Sequence, residues 1–269
     1  MERENIMNRK LPLVHFVEWK KVNDADLEKV LNDLPSWGVT DIVAHPVWGL
    51  RDQSEPGFMD KIARLIAKTG LNTPACHAFW GDPYDLSQAD EDRRREAMKE
   101  HARFLRQLAP LGVKTYTLHL GGAGLNSSEL KWQQIRRSVE ELLPAAEETG
   151  IALALENSAE PMDDLRRLTG LAKEYAHPRL GFCFDTGHAN CYAADGLFPT
   201  LELMRENIVT CHMHDNYGSF DDHNPPGGGS IDWSELSRLL AGLPRLHHME
   251  TESGAWDRES WEKFCRAMA

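Results

Sequence analysis

Long hydrophobic runs are missing from this sequence. No window in its 269 residues approaches the roughly 18 uninterrupted apolar residues of a membrane-spanning helix, which excludes a helical span. The opening stretch, MERENIMNRK, alternates charged and polar side chains and has no apolar core of the kind a secretory leader needs, so a cytoplasmic location is expected. Positive charge is scarce. Against 42 Asp+Glu stand 30 Lys+Arg, a formal net charge of −12. Phosphate backbones and anionic membranes are bound through basic faces, so whole-surface binding of either is excluded, though not a local basic groove. Cysteine is sparse, odd in number and without CxxC spacing: Cys76, Cys183, Cys191, Cys211 and Cys265. Free thiols in a reducing compartment are expected. No Gly-x-Gly-x-x-Gly follows the first strand-like segment, which weighs against a dinucleotide fold.

What is present suffices for a sizeable core, at 41% hydrophobic and 27% charged residues, and argues against disorder. Short apolar runs alternate with longer amphipathic ones. Strands are expected at Leu11–Trp19, Thr40–Val47, Asn72–Phe79, Lys114–Gly121, Ile151–Asn157, Leu180–Asp185, Ile208–Asp215 and Leu246–Thr251. Helices are expected near 24–34, 56–69, 89–110, 128–149, 161–177, 197–206, 233–242 and 256–268. Gly70, Gly112 and Gly150 stand where helices end and strands begin, as C-terminal caps do. Eight β-then-α units fit an α/β fold of the (β/α)8 TIM barrel type, which commonly takes about 250 residues as one domain. No linker divides residues 1–269. The one low-complexity patch is Pro225-Pro226-Gly227-Gly228-Gly229.

In such a barrel the chemistry sits at the C-terminal ends of the strands. Seven of the twelve histidines (45, 77, 119, 188, 212, 214 and 223) fall at those ends or in the loops just after. Glu156, Asp185 and Glu250 close strands 5, 6 and 8. Side chains alternate faces along a strand. If Asp185 points inward, so do Cys183 and Gly181, while Phe182 and Phe184 face the helices. If His212 points inward, so do Thr210 and His214. If Glu250 does, so do His248 and Glu252. Glu156, Asp185, His212 and Glu250 would then converge on the axis. Three carboxylates so close repel unless protonated or bound to a cation, and a divalent metal resolves the conflict.

At these residues the sequence resembles the xylose isomerase-like barrel superfamily, which includes sugar isomerases and epimerases as well as endonuclease IV. The resemblance rests on Leu155-Glu156-Asn157, on Phe184-Asp185-Thr186-Gly187-His188 and on His212-Met213-His214-Asp215-Asn216. It continues through Asp221-Asp222-His223-Asn224-Pro225-Pro226-Gly227-Gly228-Gly229-Ser230-Ile231-Asp232-Trp233 and Met249-Glu250-Thr251. The first half matches more loosely, through the segments around His77 and His119. The resemblance implies Glu156, Asp185, His212 and Glu250 as metal ligands. It implies His188 as a substrate-oxygen partner and His214 as a further substrate contact. The favoured ions are Mn²⁺, Mg²⁺ or Co²⁺, with Zn²⁺ as the alternative.

The implied activity is a sugar, sugar phosphate or cyclitol isomerase or epimerase. Glu156 and Glu250 would serve as base and acid beside a carbonyl, through a metal-stabilised enediolate, and His188 would steady the oxyanion. Dehydration is a near neighbour of this chemistry. His77, His119, His214, Trp48 and Trp80 are expected against the substrate, with Phe79 and Tyr217 also near the mouth. The multi-zinc pattern of endonuclease IV is also complete, with His77, His119, His188, Asp221 and His223 as further ligands. The acidity, and a loop at 216–232 without Lys or Arg, weigh against a nucleic-acid partner. The tagatose-type epimerases carry an Arg where this chain has Gly218. With few basic residues after the strands, an unphosphorylated polyol or ketose is favoured. The turn Gly121-Gly122-Ala123-Gly124 is the remaining candidate for holding a phosphate. A homo-oligomer is compatible with all of this.

Overall fold

The structure, a computed structural model, describes residues 11–121, 128–193 and 195–269. Eight strands form one sheet: β1 Leu13–Val14, β2 Asp41–Ala44, β3 Asn72–His77, β4 Thr115–Leu118, β5 Ala152–Glu156, β6 Leu180–Asp185, β7 Ile208–Met213 and β8 His248–Thr251. Neighbours pair in parallel from β2 through to β8, and β8 pairs with β1. A parallel bridge between His15 and Ile42 brings β1 beside β2 and closes the ring. The expected eight units are all there, and the fold is a (β/α)8 TIM barrel.

The helices are α1 Asp24–Asp33, α2 Pro46–Ser54, α3 Phe58–Thr69, α4 Glu91–Leu108, α5 Glu129–Thr149, α6 Met162–Tyr175, α7 Thr186–Cys191, α8 Leu197–Met204, α9 Trp233–Ala241 and α10 Arg258–Ala267. Eight of them answer to the expected amphipathic stretches. Two do not, α2 and α7, and both start directly on a strand end. Their signals are local and brief. Pro46 opens α2 and the His45 ring caps it, its Nδ1 accepting from Val47 N at 3.1 Å. Asp185 caps α7, its Oδ1 accepting from His188 N at 2.7 Å. Two residues at the mouth of the barrel thus also start helices.

The main apolar layer lies between strands and helices and holds Phe182, Phe184, Cys211 and Met213, as alternation requires. Inside the ring are two small clusters, Val14–Val43–Ala75 and Ala154–Cys183–Val209. A Cβ on Gly181 would come within 2.6 Å of Val209, so glycine is needed for this close lumen packing. Above these layers the lumen turns polar. His248 Nε2 lies 2.9 Å from Thr115 Oγ1, from the opposite wall of the barrel. Thr210 Oγ1 donates to Glu250 Oε1.

Candidate metal centre at the barrel mouth

Strand register places Asp185, His212 and Glu250 side by side at the top of β6, β7 and β8. Glu156 ends β5, level with Cys183. All four are at most 2% exposed. The His212 ring is the hub. Its Nδ1 lies 2.8 Å from Glu252 Oε2, 3.0 Å from Glu156 Oε1 and 3.9 Å from Asp185 Oδ2. Its Nε2 lies 3.5 Å from Glu250 Oε2. A single ring proton cannot serve three carboxylates on one side. On the rim of this group, His119 Nε2 is 2.9 Å from Glu156 Oε2, and His77 stacks on His212 at 5.5 Å between centroids.

A second group adjoins the first through Asp185. His214 Nε2 lies 3.0 Å from Asp185 Oδ1, and its Nδ1 lies 3.5 Å from Asp221 Oδ1. Asp221 Oδ2 is 3.3 Å from His188 Nε2 and 3.0 Å from His223 Nε2. The His214 and His223 rings stack face to face at 3.9 Å. Gly187 makes room for this: a Cβ there would sit 1.9 Å from His214 Cε1.

Three of these imidazoles have fixed tautomers. His77 Nδ1 donates to Ala78 O at 2.9 Å, His188 Nδ1 to Asn157 O at 2.9 Å, and His223 Nδ1 to Glu252 O at 2.8 Å. A carbonyl can only accept, so each Nδ1 carries its proton and each Nε2 is left to face the centre. Metal-ligating histidines are held in this way by a backbone carbonyl behind the ring.

The electrostatics agree. Burial acts to raise the Glu156 carboxyl, but the charges of His119 and His212 prevail and hold it well below the usual range. Burial also acts upward on Glu250, and its bonds to His212 and His248 bring it down to about 2. Burial acts to lower His188, yet Asp185 and Asp221 push it up to about 11, and Asp221 likewise lifts His223 to about 9. Ionised acids here thus require either protonated imidazoles or a cation, and a divalent ion would displace those protons. Buried polar atoms without a hydrogen-bond partner test the fit. They include Glu156 Oε2, Glu250 Oε2, Glu252 Oε2, His214 Nδ1 and Asp221 Oδ1, all within the two groups. Oxygen-rich donors with imidazole suit a divalent ion.

The groups open into a cavity of about 410 Å³, whose walls include Phe16, Trp80, His119, Glu156 and Glu252. Trp80 is 39% exposed, with its ring 4.7 Å from that of His77. Two expected aromatics are elsewhere. Trp48 is 1% exposed in the apolar layer, with its ring 5.4 Å from that of Trp19, because the unforeseen helix α2 turns it away from the mouth. Phe79 is buried against Tyr84, His101 and Phe104. Tyr217 is 69% exposed. Of the turn after β4, Gly122, Ala123 and Gly124 lie outside the described residues.

Sequence reasoning gave no role to Glu252, although alternation from Glu250 already pointed it inward. It also passed over Glu18 and Lys20, which line the cavity from the loop after β1. Their one signal was their place at the C-terminal end of the expected first strand, Leu11–Trp19.

An uncharacterized protein, y4fM, of Sinorhizobium fredii is 23% identical over 252 residues, covering 84% of this chain and 81% of that protein. A protein named probable endonuclease 4 from Aquifex aeolicus is 26% identical over 212 residues, 71% of this chain and 72% of its own. Among solved structures, the 3-keto-D-glucoside 4-epimerase YcjR from E. coli superposes with a TM-score of 0.77 at 17% identity, covering 96% of this chain and all of that one. A structure titled as IOLI protein with a bound zinc atom gives 0.73 at 16% identity, covering 96% of each. Residues 36–263 match the sequence profile described as xylose isomerase-like TIM barrel. That span runs from just before β2 into α10 and holds every residue of both groups, and by it this chain belongs to the xylose isomerase-like TIM barrel family.

Proposed function

We propose that the protein is a metal-dependent isomerase or epimerase of a sugar or cyclitol. The observation that carries this reading is the His212 ring, set among Glu156, Asp185, Glu250 and Glu252, of which Glu156 and Glu252 reach the wall of a cavity of about 410 Å³. Such a volume admits one monosaccharide, and Trp80 offers a ring for its apolar face. Sugar epimerases among the structural neighbours support the reading through the shared fold. When bound, a divalent ion supplies the Lewis acidity that makes a proton beside a carbonyl removable.

The ion is held by Glu156, Asp185, His212 and Glu250, with Mn²⁺, Mg²⁺ or Co²⁺ favoured over Zn²⁺. Glu156 reaches the cavity wall and takes a proton from one face of the substrate. The opposing acid comes from the end of β8. Glu250 was expected there, but it is tied to Thr210 one layer down. Glu252 shares the cavity wall with Glu156, so it is the acid that returns the proton. His188 faces its Nε2 to the site and steadies negative charge on a substrate oxygen.

The test is deuterium exchange from D₂O into a panel of ketoses and inososes, followed by NMR with Mn²⁺ added. Wild type exchanges. Glu156→Gln and Glu252→Gln are expected to lose at least about 10²-fold, since positioned acid–base groups contribute about 10² to 10⁴. Glu250→Gln is expected to retain less metal. Unchanged exchange in both Glu156→Gln and Glu252→Gln would sink the assignment.

A second reading is favoured by one observation: His77, His119, His188, Asp221 and His223, the extra ligands of a multi-zinc phosphodiester hydrolase, also converge here. Three zinc ions per chain on elemental analysis would move the assignment to that reaction.

A further inference from the structure

His214 is expected against the substrate, yet it is fully buried and has no place in the described wall of the cavity. Its backbone is pinned from both sides by one hydroxyl at the start of α7. Thr186 Oγ1 accepts from His214 N at 3.0 Å and donates to His214 O at 2.8 Å. Its ring fills the space that Gly187 leaves open. The two ring nitrogens then face carboxylates of different elements. Nε2 lies 3.0 Å from Asp185 Oδ1 at the end of β6, and Nδ1 lies 3.5 Å from Asp221 Oδ1 in the loop between β7 and α9. A side chain held so closely, and left without a task by the proposed reaction, stands between a ligand of the proposed ion and a loop of the mouth.

The loop meets this ring twice, through Asp221 and through His223, whose ring stacks on His214 at 3.9 Å and 7° between planes. His223 has φ +50°, a left-handed conformation that a side chain other than glycine adopts at a cost. What offsets that cost are contacts with the site: the stack on His214, the bond from Nδ1 to Glu252 O at 2.8 Å, and Asp221 Oδ2 at 3.0 Å from Nε2. Held in this way, His223 lines the cavity. Elsewhere the loop is loosely covered, with Tyr217 and Phe220 exposed, so its order depends on these few contacts. An ion on Asp185 fixes the carboxylate against which His214 rests, and a ring so fixed gives Asp221 and His223 their seat. Linkage is reciprocal, so an ordered loop also holds Asp185 ready for the ion.

We propose that His214 is a positioning residue that couples ion binding at Asp185 to the order of the loop at 216–232, so that loading the metal locks His223 into the cavity wall. This coupling rests on the metal of the reading above and not on its substrate. Its test is amide hydrogen exchange of the loop, with and without Mn²⁺, alongside isothermal titration of Mn²⁺. Saturating Mn²⁺ is expected to slow exchange in the wild-type loop by about 5- to 150-fold, the span of coupling between linked sites. His214→Gln should bind Mn²⁺ about 10- to 100-fold more weakly, as loss of a group behind a ligand does. At saturation its loop should slow by less than about twofold. Asp221→Ala severs the link from the loop side with Glu156, Asp185, His212 and Glu250 all in place, and should lose the slowing too. It decides the matter if His214→Gln binds no ion. A ring that only filled space would, on substitution, speed exchange with and without Mn²⁺ alike and leave their ratio intact. An unchanged ratio in an ion-binding variant, or no slowing in wild type that holds Mn²⁺, overturns the coupling alone. No Mn²⁺ bound by wild type overturns the coupling and the metal together. Slowing of the loop without deuterium exchange into any ketose or inosose would leave the coupling standing and sink the reaction.

Discussion

His101 is fully buried between Tyr116 and Tyr84, with Nδ1 2.9 Å from the Tyr116 hydroxyl and Nε2 2.9 Å from Tyr84 O. Unlike His119, His188, His212, His214 and His223, it has no carboxylate among its hydrogen-bond partners. Burial is the main influence on it and brings it down to about 4. It is therefore neutral in the folded chain, while the unfolded chain binds a proton near pH 6.5. The unfolded state takes up more protons as pH falls, so stability is full above 6.5, declines towards 4 and levels off below. The drop attributable to His101 is about 3 kcal/mol over that window. Urea unfolding at pH 7 and pH 4.5 checks it: the stability lost by wild type between the two should exceed that lost by His101→Gln by about 2–3 kcal/mol. Equal losses would mean that His101 does not titrate on unfolding. The sequence shows twelve histidines and, by their places at strand ends, which of them gather at the mouth. It does not show which ring nitrogen is locked by a carbonyl, because that depends on backbone atoms that folding brings together.

Among the elements, the loop between β7 and α9 is the longest excursion at the mouth, and one carboxylate organises it. Asp215 is fully buried and accepts four bonds: from Asn216 N at 2.9 Å, Gly227 N at 3.0 Å, Ile231 N at 3.2 Å and Trp233 Nε1 at 2.9 Å. Gly229 lets the loop return against this point, since a Cβ there would lie 2.2 Å from Asn216 O. The loop also carries Asp221 and His223, so its order bears directly on the second ligand group. Asp215→Asn turns an NH₂ towards at least one N–H donor. A cost of about 2–4 kcal/mol is expected, from one or two buried donors left unmet. Thermal unfolding would register this as a lower Tm, and metal analysis as loss of any ion held by Asp221 and His223. An unchanged Tm would show that water replaces the lost acceptor. The barrel itself was legible, since short apolar runs and helical stretches alternate eight times, with capping glycines at Gly70, Gly112 and Gly150. What escaped was short. The helices α2 and α7 follow strands without a break, and their few residues carry no amphipathic period. Trp48 shows this: as a loop residue just after the expected strand Thr40–Val47 it would stand at the mouth, whereas in α2 it packs outward.

For the whole molecule, charge decides between two reactions that share a ligand pattern. The two groups contain five carboxylates, Glu156, Asp185, Asp221, Glu250 and Glu252. One divalent ion leaves them a formal −3, while three ions would bring them to +1. A neutral sugar tolerates the first state, and a phosphodiester anion needs something like the second. Around the mouth, positive charge does not compensate. Lys20 and Lys21 are the only Lys or Arg among the described cavity-lining residues, Lys20 is paired with Glu18, and the 216–232 loop has no Lys or Arg. At a net −12, duplex DNA is repelled at long range as well. The expected outcome is therefore one tightly held ion per chain by elemental analysis. Its removal by chelation should lower Tm by about 5–10 °C, because an ion at 100 times its Kd contributes about 2.7 kcal/mol. A fluorescent duplex with an abasic site should show no anisotropy change at 0.15 M salt with up to about 10 µM protein, given that a protein making 6–10 phosphate contacts still binds at micromolar levels without sequence preference. Saturable binding with incision by a three-zinc form would assign the cluster to phosphodiester hydrolysis. It would also mean that the bound ions, not the side chains, supply the positive face that the sequence lacks.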